Sequence, residues 1–107
     1  MKTLDNLKPG DDFFLIYVSY DCDCITDVKK HTVSIVREIQ IGKIIKWLDK
    51  DGNMFGTTIT KEEYNDVMCK AFYQCKICSD KEYVFKLIKE DKEKQIKRYN
   101  QMLDSLE

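Results

Sequence analysis

Between His31 and Thr60 the chain alternates in the manner of short strands. Val33, Ile35, Ile39 and Ile41 fall at odd positions with Ser34, Glu38 and Gln40 between them, the two-residue period of a strand with one wet face. Gly42 interrupts the run and Lys43 to Leu48 resumes it around Trp47. Asp49-Lys50-Asp51-Gly52-Asn53 then reads as a turn before a return strand from Met54 to Ile59. A meander of this kind cannot hide its apolar face alone, so the flanking segments are expected to close over it.

Upstream, Leu7-Lys8-Pro9-Gly10-Asp11 is a tight turn opening a strand, since Pro fixes one dihedral and Gly accepts what other residues cannot. From Phe13 the chain is apolar for six residues and then alternates. Phe14, Ile16, Val18, Tyr20, Cys22 and Cys24 share the even side of this long first strand, which is the side expected to be buried. Ser19, Asp21 and Asp23 share the wet side, and Thr26 to Lys30 reads as a polar connection. Downstream, Thr60-Lys61-Glu62-Glu63 has the form of a capping box, predicting a short helix of about two turns that carries Tyr64 and Val67. Alternation returns from Ala71 to Cys78, with Tyr73, Cys75 and Ile77 on one side. A fifth strand here lets the sheet curl into a small barrel, which removes exposed edges.

Ser79-Asp80-Lys81-Glu82 is a second capping box, and no Gly or Pro follows it. The expected helix of about 27 residues is ~40 Å long. Val84, Phe85, Ile88 and Ile96 fall with Tyr99, Met102, Leu103 and Leu106 in one arc about 120° wide, interrupted by Asp91, Lys92 and Gln95. A small barrel is narrower than this helix is long. Its first half therefore has a barrel to lie on, and its second half needs other company. Ile96, Tyr99, Met102, Leu103 and Leu106 are the candidate partner-binding residues, toward another protein or a second copy in a homodimer. The reading is an α+β chain, with a small antiparallel β-barrel of about five strands over residues 1–78 and an amphipathic C-terminal helix over 79–107.

Composition narrows the function. A chain of 107 residues is one domain. Eighteen basic against nineteen acidic residues give a net charge of −1, neither the basic excess of a nucleic-acid binder nor the acidic excess of a mimic. No apolar run approaches the ~20 residues needed to span a bilayer. The opening MKTLDNLKPGDD carries acids where a signal peptide needs an apolar core, so a cytoplasmic, reducing location is expected. Five cysteines, an odd number, then read as thiols and not as a disulfide framework.

Several constellations are candidates for chemistry. Cys22-x-Cys24 and Cys75-x-x-Cys78 have the pairing in which zinc is held, but the strand reading sets Cys75 and Cys78 on opposite faces. Buried thiols filling a small core are the alternative, and no other cofactor is implied. The 49–53 turn resembles the start of a calcium loop, yet Met54 stands where that loop needs its glycine, so a hairpin is the better account. His31, the lone histidine, has no Ser or Cys at a persuasive spacing, and binding is expected in place of catalysis. Lys86, Lys94, Lys97 and Arg98 could form a phosphate-binding stripe on the helix. Over 79–107, however, seven basic residues balance seven acidic ones, the pattern of a solvated face. The aromatic residues Tyr17, Tyr20, Tyr64, Phe72 and Tyr73 could make a stacking or peptide-binding surface.

Leu7-x-x-Gly10-Asp11, an apolar strand, a meander, and a strand running into Ser79-Asp80-Lys81-Glu82 together resemble short, mostly uncharacterised proteins of bacteriophages and mobile elements. Those proteins carry an SH3-like barrel followed by a C-terminal helix that begins with a Ser-Asp-Lys-Glu-Glu-Ala-like run. Here Tyr83-Val84 replaces the last two residues. The resemblance implies stoichiometric binding, including inhibition of a host defence complex in the anti-CRISPR manner. It carries over no catalytic or binding residue.

Overall fold

The computed structural model describes residues 2–65 and 68–107. Among these, a 3-10 turn at Leu4–Asn6 precedes strands β1 (Asp12–Val18), β2 (Ile25–Thr32), β3 (Ile35–Ile39), β4 (Gly42–Leu48) and β5 (Met54–Thr60). A second 3-10 turn, Lys61–Glu63, leads to β6 (Cys69–Phe72), β7 (Cys75–Cys78) and the helix α1 (Lys81–Leu106). The class is α+β. The strands form two antiparallel sheets, ordered β2-β1-β7-β6 and β3-β4-β5.

The sheets do not join into the closed barrel expected from the sequence. The chain crosses from one to the other between two adjacent residues: Val33 N donates to Asp11 O, whereas Ser34 N donates to Lys46 O in β4. On the far side, the 3-10 turn carries the backbone away from β5 before β6 begins. There Thr60 N and Oγ1 both donate to Glu63 Oε1, at 3.1 and 2.9 Å. A side chain bridges the remaining gap, Lys70 Nζ donating to Thr58 O at 2.7 Å and to Glu63 Oε1 at 2.9 Å. The predicted two-turn helix is thus a single 3-10 turn, and its predicted residue Val67 lies outside the described residues.

From Ile35 onward the meander is as the alternation reads it, with the 49–53 segment as the hairpin between β4 and β5, whereas His31 and Thr32 belong to β2 of the other sheet. Its first strand follows the predicted face only in part: Val33 is buried in the main core and Ile39 half-buried, but Val36 packs on the core while Ile35 and Ile41 are exposed. The stretch read as a polar connection is strand β2, an edge strand with few buried positions. β1 is buried on both faces. Phe13 and Leu15 point into the main core with Trp47, Ile45, Ile59 and Ile77. Ile16 points the other way, with Phe14 and Val18, into a smaller core shared with Val84 and Leu87 of α1. The uninterrupted apolar run from Phe13 to Val18 is the mark of such a doubly covered strand. Tyr20, placed by the alternation on the buried side, lies past the strand's end and is exposed.

Helix α1 is capped one residue later than predicted. Asp80 Oδ2 accepts from Tyr83 N at 3.0 Å. Ser79 Oγ donates instead to Lys2 O at 2.6 Å, pinning the N-terminal segment against the end of β7. Not all cysteines are thiols: Cys69 and Cys78 sit directly opposite in the β6–β7 ladder, 4.3 Å apart at Cα, and are disulfide-bonded. The radius of gyration is 16.4 Å, above the ~13 Å of a compact chain this long, because α1 overhangs the sheets.

Candidate functional site

Two surfaces carry features that packing alone does not explain. The first is α1. The face it turns toward the sheets is Tyr83, Val84, Leu87, Asp91 and Gln95, spaced by one, three or four residues; of these Val84 is buried and the rest half-buried. At its middle the contact is polar. Asp91 Oδ1 accepts from Ile25 N at 3.2 Å, and Gln95 Nε2 donates to Asp91 Oδ2 at 2.6 Å. The residues that interrupt the apolar arc in the sequence are therefore part of the docked face. Apart from Val84, which is buried, the arc is rotated away by roughly 100° at 100° per residue and stays in solvent. The helix's first half lies on the sheets as expected, through Val84 and Leu87, but Phe85 and Ile88 of the predicted apolar arc are exposed. Ile96, Tyr99, Met102, Leu103 and Leu106 are exposed too, Leu106 at 85%. From Phe85 through Lys92 to Leu106 the positions of this seam step by three or four residues, averaging about 3.5, the repeat of a left-handed coiled coil.

The second surface is a cleft of about 850 Å³ where the two sheets diverge. Trp47 forms its floor. The Phe72 ring lies 5.1 Å from it and Phe55 6.4 Å, while Tyr73 stands edge-on to Phe72 at 4.7 Å. Tyr17 and Cys75 continue the wall; burial pushes both the phenol and the thiol up from their ordinary values. Lys29 and His31 line it from β2 and Lys50 from the β4–β5 turn. Lys29 Nζ sits 5.4 Å from the centre of the Tyr17 ring. Asp49, also at the rim, is committed to its own turn, accepting from Asp51 N at 2.9 Å and Asn53 N at 2.8 Å; these bonds, Asn53 first, hold its carboxyl below the usual range. His31 stacks on Phe13 at 5.8 Å, and its Nε2 is sealed from solvent with no hydrogen-bond partner among the described residues. Such an orphaned nitrogen costs about 1–3 kcal/mol. Burial, and then Lys29, keep the imidazole below its ordinary pKa of 6.5, with Asp49 opposing.

Of the aromatics singled out in the sequence, Tyr17, Phe72 and Tyr73 meet in the cleft. Tyr20 is remote from its lining, and Tyr64 packs elsewhere under Lys43. Lys29 and Lys50 escaped the sequence reading and His31 was noticed only as a lone histidine, because β2 carries no alternation that would announce a strand face and nothing local shows that the 49–53 turn reaches this cleft.

The candidate zinc cysteines are not brought together. Cys78 is bonded to Cys69, Cys75 faces the main core, and Cys22 and Cys24 lie past the end of β1 beside Arg98. Among the described residues no group of three or more His, Cys, Asp or Glu side chains is placed to hold a metal. A hydrogen bond from Cys24 holds the Cys22 thiol below its ordinary value, Arg98 adding to the effect, and raises Cys24 in turn. The basic helix residues divide between two sides. Lys94 pairs with Asp23 at 3.4 Å and Arg98 joins the cysteine loop, whereas Lys86 and Lys97 lie on the outer, exposed side. Among the described residues no helix is long and apolar enough to cross a membrane.

No protein-family model, curated protein or solved structure matches this chain.

Proposed function

We propose that this is a non-enzymatic binding protein that acts by burying the exposed seam of α1 against another protein, in the first instance α1 of a second copy. One observation carries this reading: beyond Val84 and Leu87 the docked face of α1 is polar, and its apolar residues lie on a different face. A helix that only braced the sheets would turn its apolar residues toward them. Here Asp91 and Gln95 face the sheets, and Phe85, Ile88, Ile96, Leu103 and Leu106 face water. A contiguous apolar strip of this kind on a small chain marks an interaction surface.

The pattern favours antiparallel pairing. A parallel pair would stack Lys92 on Lys92, whereas an antiparallel pair centred near Ile96 sets Phe85 against Leu106, Ile88 against Leu103, and Lys92 against the face of Tyr99. Binding of this kind needs no reacting group. Occlusion of a host complex is the form it takes if the resemblance to phage proteins carries over.

Light scattering between about 1 and 100 µM tests the proposal, since a micromolar association is resolved in that range. The wild type is expected to approach twice its chain mass, and Ile96→Asp with Leu103→Asp to remain a single chain with unchanged helix content. A wild type and double variant that agree in mass, and that capture the same proteins from a lysate, would overturn it.

A further inference from the structure

We propose that the cleft between the sheets binds a nucleotide-class ligand: a flat base packed against Tyr73 and the Phe72–Trp47 wall, its phosphate held between Lys29 and Lys50. The proposal is independent of the seam on α1.

The first support is the inner face of β2. Lys29 is opposite Leu15 and His31 opposite Phe13 in the β1–β2 ladder. Directly opposed residues of an antiparallel pair share a face, so a lysine and an imidazole project on the side where Leu15 and Phe13 are buried. An inward lysine also guards an edge strand against pairing with other chains. Guarding, however, requires neither an aromatic wall beside it nor a second cation across from it. Lys50 supplies that cation from the other sheet, and neither Lys29 nor Lys50 makes an ion pair among the described residues. With Lys29, Lys30 and Lys50 against the single carboxylate of Asp49 in the lining, the cleft is net positive although the chain as a whole carries −1.

The second support is Tyr73. It is the first residue of the two-residue turn between Phe72 and Cys75, with φ of 52° and 87% of its surface exposed. Glycine is the usual occupant where such a turn requires positive φ. A bulky ring kept in that backbone well, projecting into solvent at the mouth of a cleft, is strain retained at a contact point.

The chemistry of the walls selects the ligand. β1, β4 and β7 each lie between two neighbours, so their backbone donors and acceptors are committed to ladders. The lining strands with a free edge are β2, β5 and β6, and β2 is guarded by its inward Lys29, so pairing with an extended peptide is decided by titration with an acidic peptide. What the cleft presents is ring faces and ammonium groups, the combination that stacks bases and meets phosphates. Its 850 Å³ accommodates a mononucleotide or the end of a single strand.

Trp47, the sole tryptophan, is the reporter. The full chain would be titrated with AMP and, separately, with a single-stranded oligothymidylate, following Trp47 emission and heat of binding. Saturable quenching is expected, weakening as salt rises and reduced about tenfold by Lys29→Glu or Lys50→Glu. Tyr73→Gly relieves the turn, so it should raise Tm while weakening binding about fivefold or more. Ile96→Asp should leave binding unchanged, which separates this site from the helix seam. Tighter binding of AMP assigns the site to free nucleotides, and tighter binding of the oligonucleotide to strand ends. No saturation by either at about 1 mM would overturn the proposal. So would affinity unaltered by the three cleft substitutions in folded protein, or tighter binding of an acidic tyrosine peptide than of both.

Discussion

Asp91 of α1 accepts, through Oδ1, the backbone N–H of Ile25 at 3.2 Å, joining the helix to the first residue of an edge strand 66 positions earlier. Together with Val84 and Leu87, packed on the smaller core, that bond defines the side of the helix that meets the sheets. With Asp91 turned inward, Phe85, Ile88 and Ile96 are carried outward.

Removing the carboxylate is therefore expected to loosen the helix without dissolving the sheets. Asp91→Ala should lower unfolding stability in urea by about 1–2 kcal/mol, the worth of a part-buried bond to a charged acceptor. Amide exchange at Ile25 should accelerate, while amides of β4 remain protected. Unchanged exchange at Ile25 would mean the helix is held by its apolar contacts alone.

Gly42 opens β4 where the backbone of β5 passes closest. A Cβ there would collide with the Ile59 carbonyl oxygen and lie 2.9 Å from Thr60 Cα, atoms of a paired strand that cannot swing aside. Gly42→Ala should cost about 2 kcal/mol or more, as overpacking against backbone does. At Gly52 a Cβ meets nothing within 4 Å, and only the φ of 82° opposes it. Gly52→Ala should therefore cost about 1 kcal/mol, the ordinary penalty of that backbone region. Equal losses at the two positions, read by chemical denaturation, would contradict this account.

His31 makes stability depend on pH in one direction. Its pKa in the folded chain lies below the ordinary 6.5, chiefly through burial. Above pH 6.5 the imidazole is neutral in both states and contributes no slope. As pH falls through 6.5 toward the folded value, the unfolded chain takes up the proton first, so stability declines. Below the folded pKa the loss is complete. His31→Gln should flatten this segment of the stability curve, and a wild-type curve equally flat between pH 7 and 5 would refute it.

The Cys69–Cys78 bond predicts three free thiols in the oxidised, denatured chain and five after reduction. Closing so short a loop constrains the unfolded state by about 2–3 kcal/mol, so reduction should lower Tm measurably. Thiol counting with and without reductant gives the answer directly. Five thiols before reduction would restore the all-thiol reading of the sequence.

What the sequence disclosed was local. The 35–60 meander follows from alternation around Trp47 and from a turn whose Asp49 closes on its own neighbours, and α1 follows from an unbroken run behind a capping residue. What it concealed depends on partners far along the chain. β2 passes for a connection because its inner positions are Asp27, Lys29 and His31, and only pairing with Tyr17, Leu15 and Phe13 reveals which side they face. The sheets stay separate where a 3-10 turn follows β5 and Lys70 reaches back to Thr58 O and Glu63, contacts that no local pattern announces. The apolar arc of α1 was legible as an arc. That the sheets would take hold of the neighbouring polar side was not, since Asp91 finds its reason only in an N–H 66 residues away.

The place of β1, flanked by the strand that follows it and by β7 about 60 residues further on, bears on how the molecule is made. Synthesis delivers Leu15 and Ile16 early, and their cover on one flank arrives only with Cys75 to Cys78. Leu4 and Leu7, buried in the same core, wait equally long. Assembly of these sheets therefore waits until Cys75 to Cys78 have been made, and a chain truncated before Cys75 is expected to leave Leu15 and Ile16 uncovered, a sticky fragment destined for proteolysis in place of a smaller working protein.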